Sequence, residues 1–316
     1  MPASRTRLAP SPTGALHLGN ARTFLVNWAL ARQIGWEIVL RIEDLDGPRV
    51  KAGAAEQTID VLKWLGLDWD DGPYYQGRDL THYEKALEHL AAEGGIYPCT
   101  CTRREIEAAS LSAPHAENHE LRYPGTCRPP QPLSREIASQ THENVAWRLS
   151  VPTGPIDFFD GFAGAQSHDV QQTVGDFLVR TKAKLPSYQL AVVVDDARQC
   201  IDQVVRSDDL LTSTPRQIML YQRLQLEAVP TYTHLPLVLG EDGRRLAKRH
   251  GDSRLVHYRE QGVRTERVVG LLAEWCGLGA RQEMSAEEFS RNFDLKRLPP
   301  APCVFQRADH AWLLGG

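Results

Sequence analysis

No apolar run in this chain approaches the length of a membrane-crossing helix, and its opening residues, Met-Pro-Ala-Ser-Arg-Thr-Arg, carry no apolar core of a secretory signal. A soluble cytoplasmic protein with no membrane partner is therefore expected. Strong charge of either sign is also missing: 36 Lys and Arg against 40 Asp and Glu leave a formal net charge of −4. That balance argues against nonspecific coating of nucleic acid but leaves room for an RNA partner met through a local basic face. Cysteine is scarce, with six in 316 residues, and three of them crowd together as Cys99, Cys101 and Cys127. The crowding reads as a metal site in a reducing compartment rather than a disulfide framework, with the same three thiols without metal as the alternative. Cys200, Cys276 and Cys303 are scattered and read as ordinary buried or free thiols. No internal repeat or low-complexity tract is present, so nothing reads as fibrous or disordered.

What is present is α/β alternation in a chain long enough to bury a substantial core and form two or three domains. Residues 5–9 and 37–43 read as strands, the second almost continuously apolar as a buried parallel strand should be. Between them Ala21, Phe24, Leu25, Trp28 and Ala31 keep helical spacing up to Gly35, which makes a βαβ unit. Amphipathic helices are predicted over 55–66 and 81–94, each closed by glycine. From Tyr97 to about Pro186 the pattern turns to Cys, Pro and short strands, read as an insertion. The α/β signal resumes with Ala191–Asp196 and Ile201–Val205, and Thr214-Pro215 opens a helix to Leu224. A strand over Leu235–Leu239 leads into a basic loop, and 264–275 and 286–293 suggest a small terminal helical domain.

Function is signalled first near the N-terminus, in Arg7-Leu-Ala-Pro-Ser-Pro-Thr-Gly-Ala-Leu-His17-Leu-Gly19-Asn20. An extended segment, a Pro/Gly turn and a His-x-Gly-x step into a helix form a phosphate-binding device, because unpaired N–H groups and the helix dipole meet an anion there. Such a turn is weak evidence alone, since Pro and Gly punctuate any αβ connection. A second signal lies at Asp242-Gly-Arg-Arg245-Leu-Ala-Lys248-Arg249-His-Gly251, a loop whose four basic side chains can close over a triphosphate or simply stay solvated.

Together these two motifs resemble the signatures of class I aminoacyl-tRNA synthetases, and more closely those of the glutamyl branch. The resemblance implies a Rossmann-type parallel sheet split by an inserted zinc-containing module (1–96, 97–186, 187–240) and followed by the lysine loop and a small C-terminal helical domain (241–316). It implies ATP with Mg2+ as the nucleotide substrate. His17 and Asn20 belong to the motif that usually reads His-Ile-Gly-His, and Lys248 matches the catalytic lysine of the Lys-Met-Ser-Lys-Ser loop. Gly19 and Arg245 join them as ATP contacts. Arg245 and Ala247 depart from the Lys and Ser of that second pattern, and loss of the hydroxyl removes one possible loop hydrogen bond. Attack of a carboxylate on the α-phosphorus needs little proton chemistry, so positioning and charge neutralisation dominate.

The same resemblance places L-glutamate against Arg7, Ala9, Ser11, Glu43, Tyr188 and Arg206. The guanidinium forks suit carboxylates, Glu43 suits the ammonium and Tyr188 can orient the substrate. Each has a plainer alternative. Arg41 and Glu43 can form a strand-end ion pair, Tyr188 can be a core-edge aromatic, and Arg206 can pair with Asp208 or Asp209. At the ends of parallel strands, where ligands bind in such sheets, the joint reading is favoured.

Tetrahedral zinc needs a fourth ligand beside the three thiolates, and the family's Tyr-x-x-x-Cys ending matches Tyr123-Pro-Gly-Thr-Cys127; His119 is a rival and His115 a weaker one. Ordinary glutamyl-tRNA synthetases continue well beyond the length of this chain. The sequence therefore resembles the truncated glutamyl-queuosine tRNA(Asp) synthetases, which implies tRNA-independent glutamate activation and transfer to queuosine in the anticodon stem-loop of tRNA(Asp), by a monomer. The rival expectations are a compact glutamyl-tRNA synthetase charging tRNA(Glu) and a noncatalytic glutamate- or RNA-binding paralogue.

Overall fold

The computed structural model describes residues 3–12, 15–45, 50–111, 122–133, 145–246 and 253–315. Ala247, Lys248, Arg249, Gly251, His115 and His119 lie outside the described residues.

In chain order the elements are β1 (Arg5–Leu8), α1 (Leu18–Ile34), β2 (Glu37–Ile42), α2 (Ala54–Trp64), β3 (Asp71–Tyr75), α3 (Thr81–Ala92), β4 (Ile96–Cys99) and α4 (Arg103–Leu111). Then follow β5 (Ala146–Leu149), β6 (Ile156–Asp160), β7 (Gly164–His168), α5 (Val170–Thr173), β8 (Phe177–Arg180), α6 (Tyr188–Arg198), β9 (Gln203–Ser207) and α7 (Thr214–Arg223). Last come β10 (Thr231–Leu235), β11 (Val238–Leu239), α8 (Leu255–Glu260), α9 (Thr265–Trp275), α10 (Ala286–Asn292), β12 (Cys303–Val304) and α11 (Arg307–Leu314).

The parallel ladders are β1-β2-β3 and β6-β10-β9. They meet where the Asp202 N–H donates to the Arg5 carbonyl (3.1 Å) and the Arg5 N–H to Asp202 Oδ1 (2.8 Å). The Arg7 guanidinium reaches the Val205 carbonyl at 3.3 Å across the same seam. Helix α1 packs on this sheet because Leu18, Ala21, Leu25, Val26, Trp28 and Ala29 fall on its buried side. Burial of each large apolar side chain stabilises the fold by roughly 1.5–3 kcal/mol. Its C-terminus closes on Gly35, whose φ of 80° is left-handed and whose N–H bonds the Ala31 carbonyl. Arg22, also buried in α1, donates to the carbonyls of Pro236 (2.6 Å) and Trp275 (3.4 Å), tying the sheet to the later helices.

Strands β4, β5 and β8 make a separate antiparallel sheet within the stretch 97–186 and its border. The hairpin β6–β7, from the same stretch, instead joins the parallel sheet through Tyr232 and Asp160, so that stretch contributes directly to the site described below.

Two local expectations differ from the structure. Ala191–Asp196 resumes the α/β pattern inside a helix, α6, not at a strand, because Leu190 to Val194 are buried on every side. A short, wholly apolar run has no period that separates a buried helix from a buried strand. The strand read over Leu235–Leu239 is broken at Pro236, which has no N–H for a ladder; β10 ends before it, and β11 pairs with β12 instead.

A cleft at the strand ends with a prepared arginine

A cleft of about 690 Å3 opens beyond the carboxyl ends of β1, β2 and β9. Arg7, Ala9 and Ser11 from the β1 end, His17 and Asn20 from the start of α1, Glu43 after β2, Tyr188 of α6, Arg206 of β9 and Arg245 all line it. Residues far apart in the chain are thus brought to one surface, although Lys248 lies outside the described residues.

At the α1 end, His17 is the N-cap. Its Nδ1 accepts from the Gly19 N–H (3.2 Å), and Asn20 Oδ1 accepts from the His17 N–H (3.2 Å). A Cβ at Gly19 would sit 3.1 Å from His17 Cε1, so the ring would have to shift by a few tenths of an ångström from its place over the first turn. This corrects the expectation of unpaired amides. The Gly19 N–H is taken by the ring and that of Ala21 by the His17 carbonyl (3.0 Å), so the helix dipole and the outer edge of the ring face the cleft. Burial and the neighbouring Arg245 cation push the His17 imidazole down to about 4, so it is neutral at pH 7. Arg245 itself is ion-paired with Asp209.

Farther in, four charges are packed together. Arg41 Nη1 meets Asp196 at 2.7 Å, Arg41 Nη2 meets Glu43 at 3.2 Å, and Arg7 Nε lies 3.5 Å from Asp196. The strand-end pair of Arg41 and Glu43 therefore exists, and Glu43 lines the cleft as well. Burial raises the Glu43 carboxyl above its ordinary range against the pull of Arg41 and Arg7. Tyr188 is 40% exposed, on the first turn of α6, and borders the cleft.

Arg206 does not pair with Asp208 or Asp209. Its Nε donates to His234 Nε2 (2.9 Å) and its Nη2 to Thr214 Oγ1 (2.9 Å) and the Leu210 carbonyl (3.3 Å). His234 Nδ1 in turn meets Asp160 Oδ2 at 2.6 Å, with both side chains fully buried. Arg206 Nη1 is buried and finds no hydrogen-bond partner among the described residues. Since Arg206 lines the cleft, Nη1 is the part of its guanidinium open to an acceptor there.

His234, Thr214, Asp160 and Asp196 went unnoticed as site residues in the sequence. Tyr232 and His234 do show the two-residue alternation of a strand face, the signal that could have carried the strand back from Leu235 to Thr231.

The cysteine cluster lies apart, at the end of β4. The ligand atoms of Cys99, Cys101 and Cys127 fall within 4.8 Å of one another. Tyr123 Oη is 3.5 Å from Cys99 Sγ and 3.9 Å from Cys101 Sγ, and it also accepts from the Cys127 N–H at 2.8 Å. Three soft thiol donors converging with a fourth oxygen suit a tetrahedral ion. Cys200, Cys276 and Cys303 form no disulfide and lie in exposed, buried and half-buried settings.

Comparison with known proteins agrees with this geometry. The family described as tRNA synthetases class I (E and Q), catalytic domain, matches residues 3–312. A glutamyl-Q tRNA(Asp) synthetase from Symbiobacterium thermophilum is 45% identical over 320 residues, covering 98% of both chains. A glutamate–tRNA ligase from Oleidesulfovibrio alaskensis is 39% identical over 98% of this chain, which spans 65% of that longer protein. The crystal structure of a glutamate tRNA ligase from Elizabethkingia meningosepticum, in complex with its amino acid, superposes with a TM-score of 0.81 at 25% identity, covering 98% of this chain and 68% of that one. The chain belongs to the class I tRNA synthetase family for glutamate and glutamine, in the group that includes the glutamyl-Q tRNA(Asp) synthetases.

Proposed function

We propose that this ligase activates L-glutamate with ATP to glutamyl-adenylate without tRNA and then transfers glutamate to the queuosine of tRNA(Asp). The observation that carries the reading is the buried Nη1 of Arg206, without a partner among the described residues, in a cleft that also holds Arg7 and Glu43. One carboxylate takes Arg206 and Arg7, the ammonium takes Glu43, and Tyr188 with the Ala9–Ser11 backbone orients the chain between them. The reacting carboxylate is then presented toward the α1 end, where His17 and Asn20, with Arg245 and Lys248 from the basic loop, neutralise the phosphates of ATP–Mg2+. Neutral His17 donates to a phosphate oxygen from Nε2, since Nδ1 is engaged by Gly19.

The choice of acceptor rests on likeness, since a glutamyl-Q tRNA(Asp) synthetase is 45% identical to this chain and the glutamate–tRNA ligase 39% identical. Unstacked loop bases can be read by stacking and hydrogen bonding, which suits an anticodon loop as acceptor. We read 97–186 as the inserted module, with β6–β7 returned to the sheet, and 241–316 as the loop and helical domain. Cys99, Cys101, Tyr123 and Cys127 would hold one structural zinc there, whose chemistry is to pin the β4 end to the Tyr123 segment.

The test is pyrophosphate exchange with glutamate in the absence of RNA, followed by charging of tRNA(Asp) with and without queuosine. Exchange without RNA and charging only of the queuosine form are expected. Strict dependence on tRNA(Glu) would transfer the assignment to a compact glutamyl-tRNA synthetase, and no exchange under any condition to a noncatalytic paralogue.

A further inference from the structure

We propose that Asp160 and His234 are positioning residues that orient Arg206 and so set affinity for the substrate carboxylate; this rests on Arg206 being the carboxylate contact. Strand register creates the arrangement. His234 on β10 is the direct partner of Arg206 on β9, so both side chains leave the same face, and Asp160 is brought alongside by its pairing with Tyr232.

Asp160 decides which nitrogen of His234 carries the proton. Its Oδ1 is already filled by the N–H groups of Phe162 (3.0 Å), Ala163 (2.8 Å) and His234 (3.1 Å). Only Oδ2 is left for the ring, and as a carboxylate oxygen it accepts, so Nδ1 carries the hydrogen and Nε2 is a bare acceptor. That bare nitrogen takes the Arg206 Nε–H. Burial and the adjacent Arg206 cation hold the imidazole neutral, against the opposing pull of Asp160. Thr214 and Leu210 take Nη2, and the Tyr232 ring lies 5.2 Å from the guanidinium carbon. Every edge of the guanidinium except Nη1 is thus committed before substrate arrives, which removes the cost of ordering it on binding.

The informative perturbation is Asp160→Asn. Because Oδ1 is pinned by three backbone donors, the new NH2 occupies the Oδ2 position and donates to Nδ1. The ring must then carry its hydrogen on Nε2, facing the Arg206 Nε–H donor to donor. Glutamate Kd by calorimetry and glutamate KM in pyrophosphate exchange are expected to rise together by roughly 10- to 100-fold, with kcat at saturating glutamate changed by less than about threefold. A folded variant with wild-type glutamate affinity overturns the proposal.

The same substitution in an Arg206→Lys background isolates the route. Lysine has no Nε–H to clash, so Asp160→Asn is expected to add less than about threefold there. An undiminished second effect means that Asp160 does not act through Arg206, which overturns the proposal. If Arg206→Lys alone leaves glutamate affinity unchanged, the carboxylate assignment of Arg206 fails instead. Should Asp160→Asn not fold, His234→Gln, which keeps an acceptor for Arg206, is expected to bind glutamate at least about tenfold more tightly than His234→Leu. Equal affinities of that pair overturn the proposal.

Discussion

Replacing Arg41 by methionine should unmask the charge balance beneath the cleft. Arg41 is fully buried and touches Asp196 at 2.7 Å, Glu43 at 3.2 Å and Gln199 Oε1 at 2.9 Å. Methionine fills much of the same volume, so the cavity contribution is small and the electrostatic one is isolated. Two carboxylates would then share only Arg7, and breaking a buried pair by removing one partner costs about 3–5 kcal/mol. For a chain of this size that corresponds to a fall of roughly 5–8 °C in the unfolding midpoint near pH 7.5.

The deficit should depend on pH in a definite sense. Glu43 already has a raised pKa, and losing Arg41 raises it further. The folded state then binds a proton that the unfolded state, titrating at its lower value, does not, so stability increases as pH falls through the folded pKa. Urea denaturation of both proteins at pH 7.5 and pH 5 should show the difference between them shrinking by more than about 1 kcal/mol at the lower pH. Parallel loss at both pH values, with no recovery, would refute the picture of Glu43 as an ionised group held by Arg41. Glutamate binding should weaken in the variant as pH falls, because a protonated Glu43 no longer pairs with an ammonium.

His17, pushed down to about 4 by burial and Arg245, should keep a neutral-form NMR signal at pH 5.5. Since its folded value lies below the ordinary 6.5, its contribution to stability is present above pH 6.5 and lost as pH falls toward 4; His17→Gln should flatten that part of the stability curve. Titration of His17 near pH 6.5 would contradict the burial argument. Purified protein should carry about one zinc per chain by elemental analysis, with Cys127→Ala losing it and chelation lowering the unfolding midpoint. Metal-free protein with all three clustered thiols freely reactive would remove the zinc reading.

Much of the local structure was legible because its causes are local. The apolar spacing from Ala21 to Ala31, the Gly35 stop and the Thr214-Pro215 start each reflect forces acting within a few residues. The Arg7, Glu43 and Arg206 signals were also visible, since their motifs resemble a known family and they do line one cleft. Where several outcomes satisfy the same local pattern, the linear order of residues was silent. The run from Leu190 to Val194 suits a buried strand as well as the helix it forms. Which carboxylate or imidazole would hold Arg206 depended on the register of β9 against β10 and on β6 joining them. That register is set by packing between segments up to 74 residues apart, as in the contact between Asp160 and His234. The amino-acid order thus determined the elements and the kinds of chemistry available, while the sheet alone decided which groups meet, because side-chain partners across strands are chosen by tertiary alignment and not by spacing along the chain.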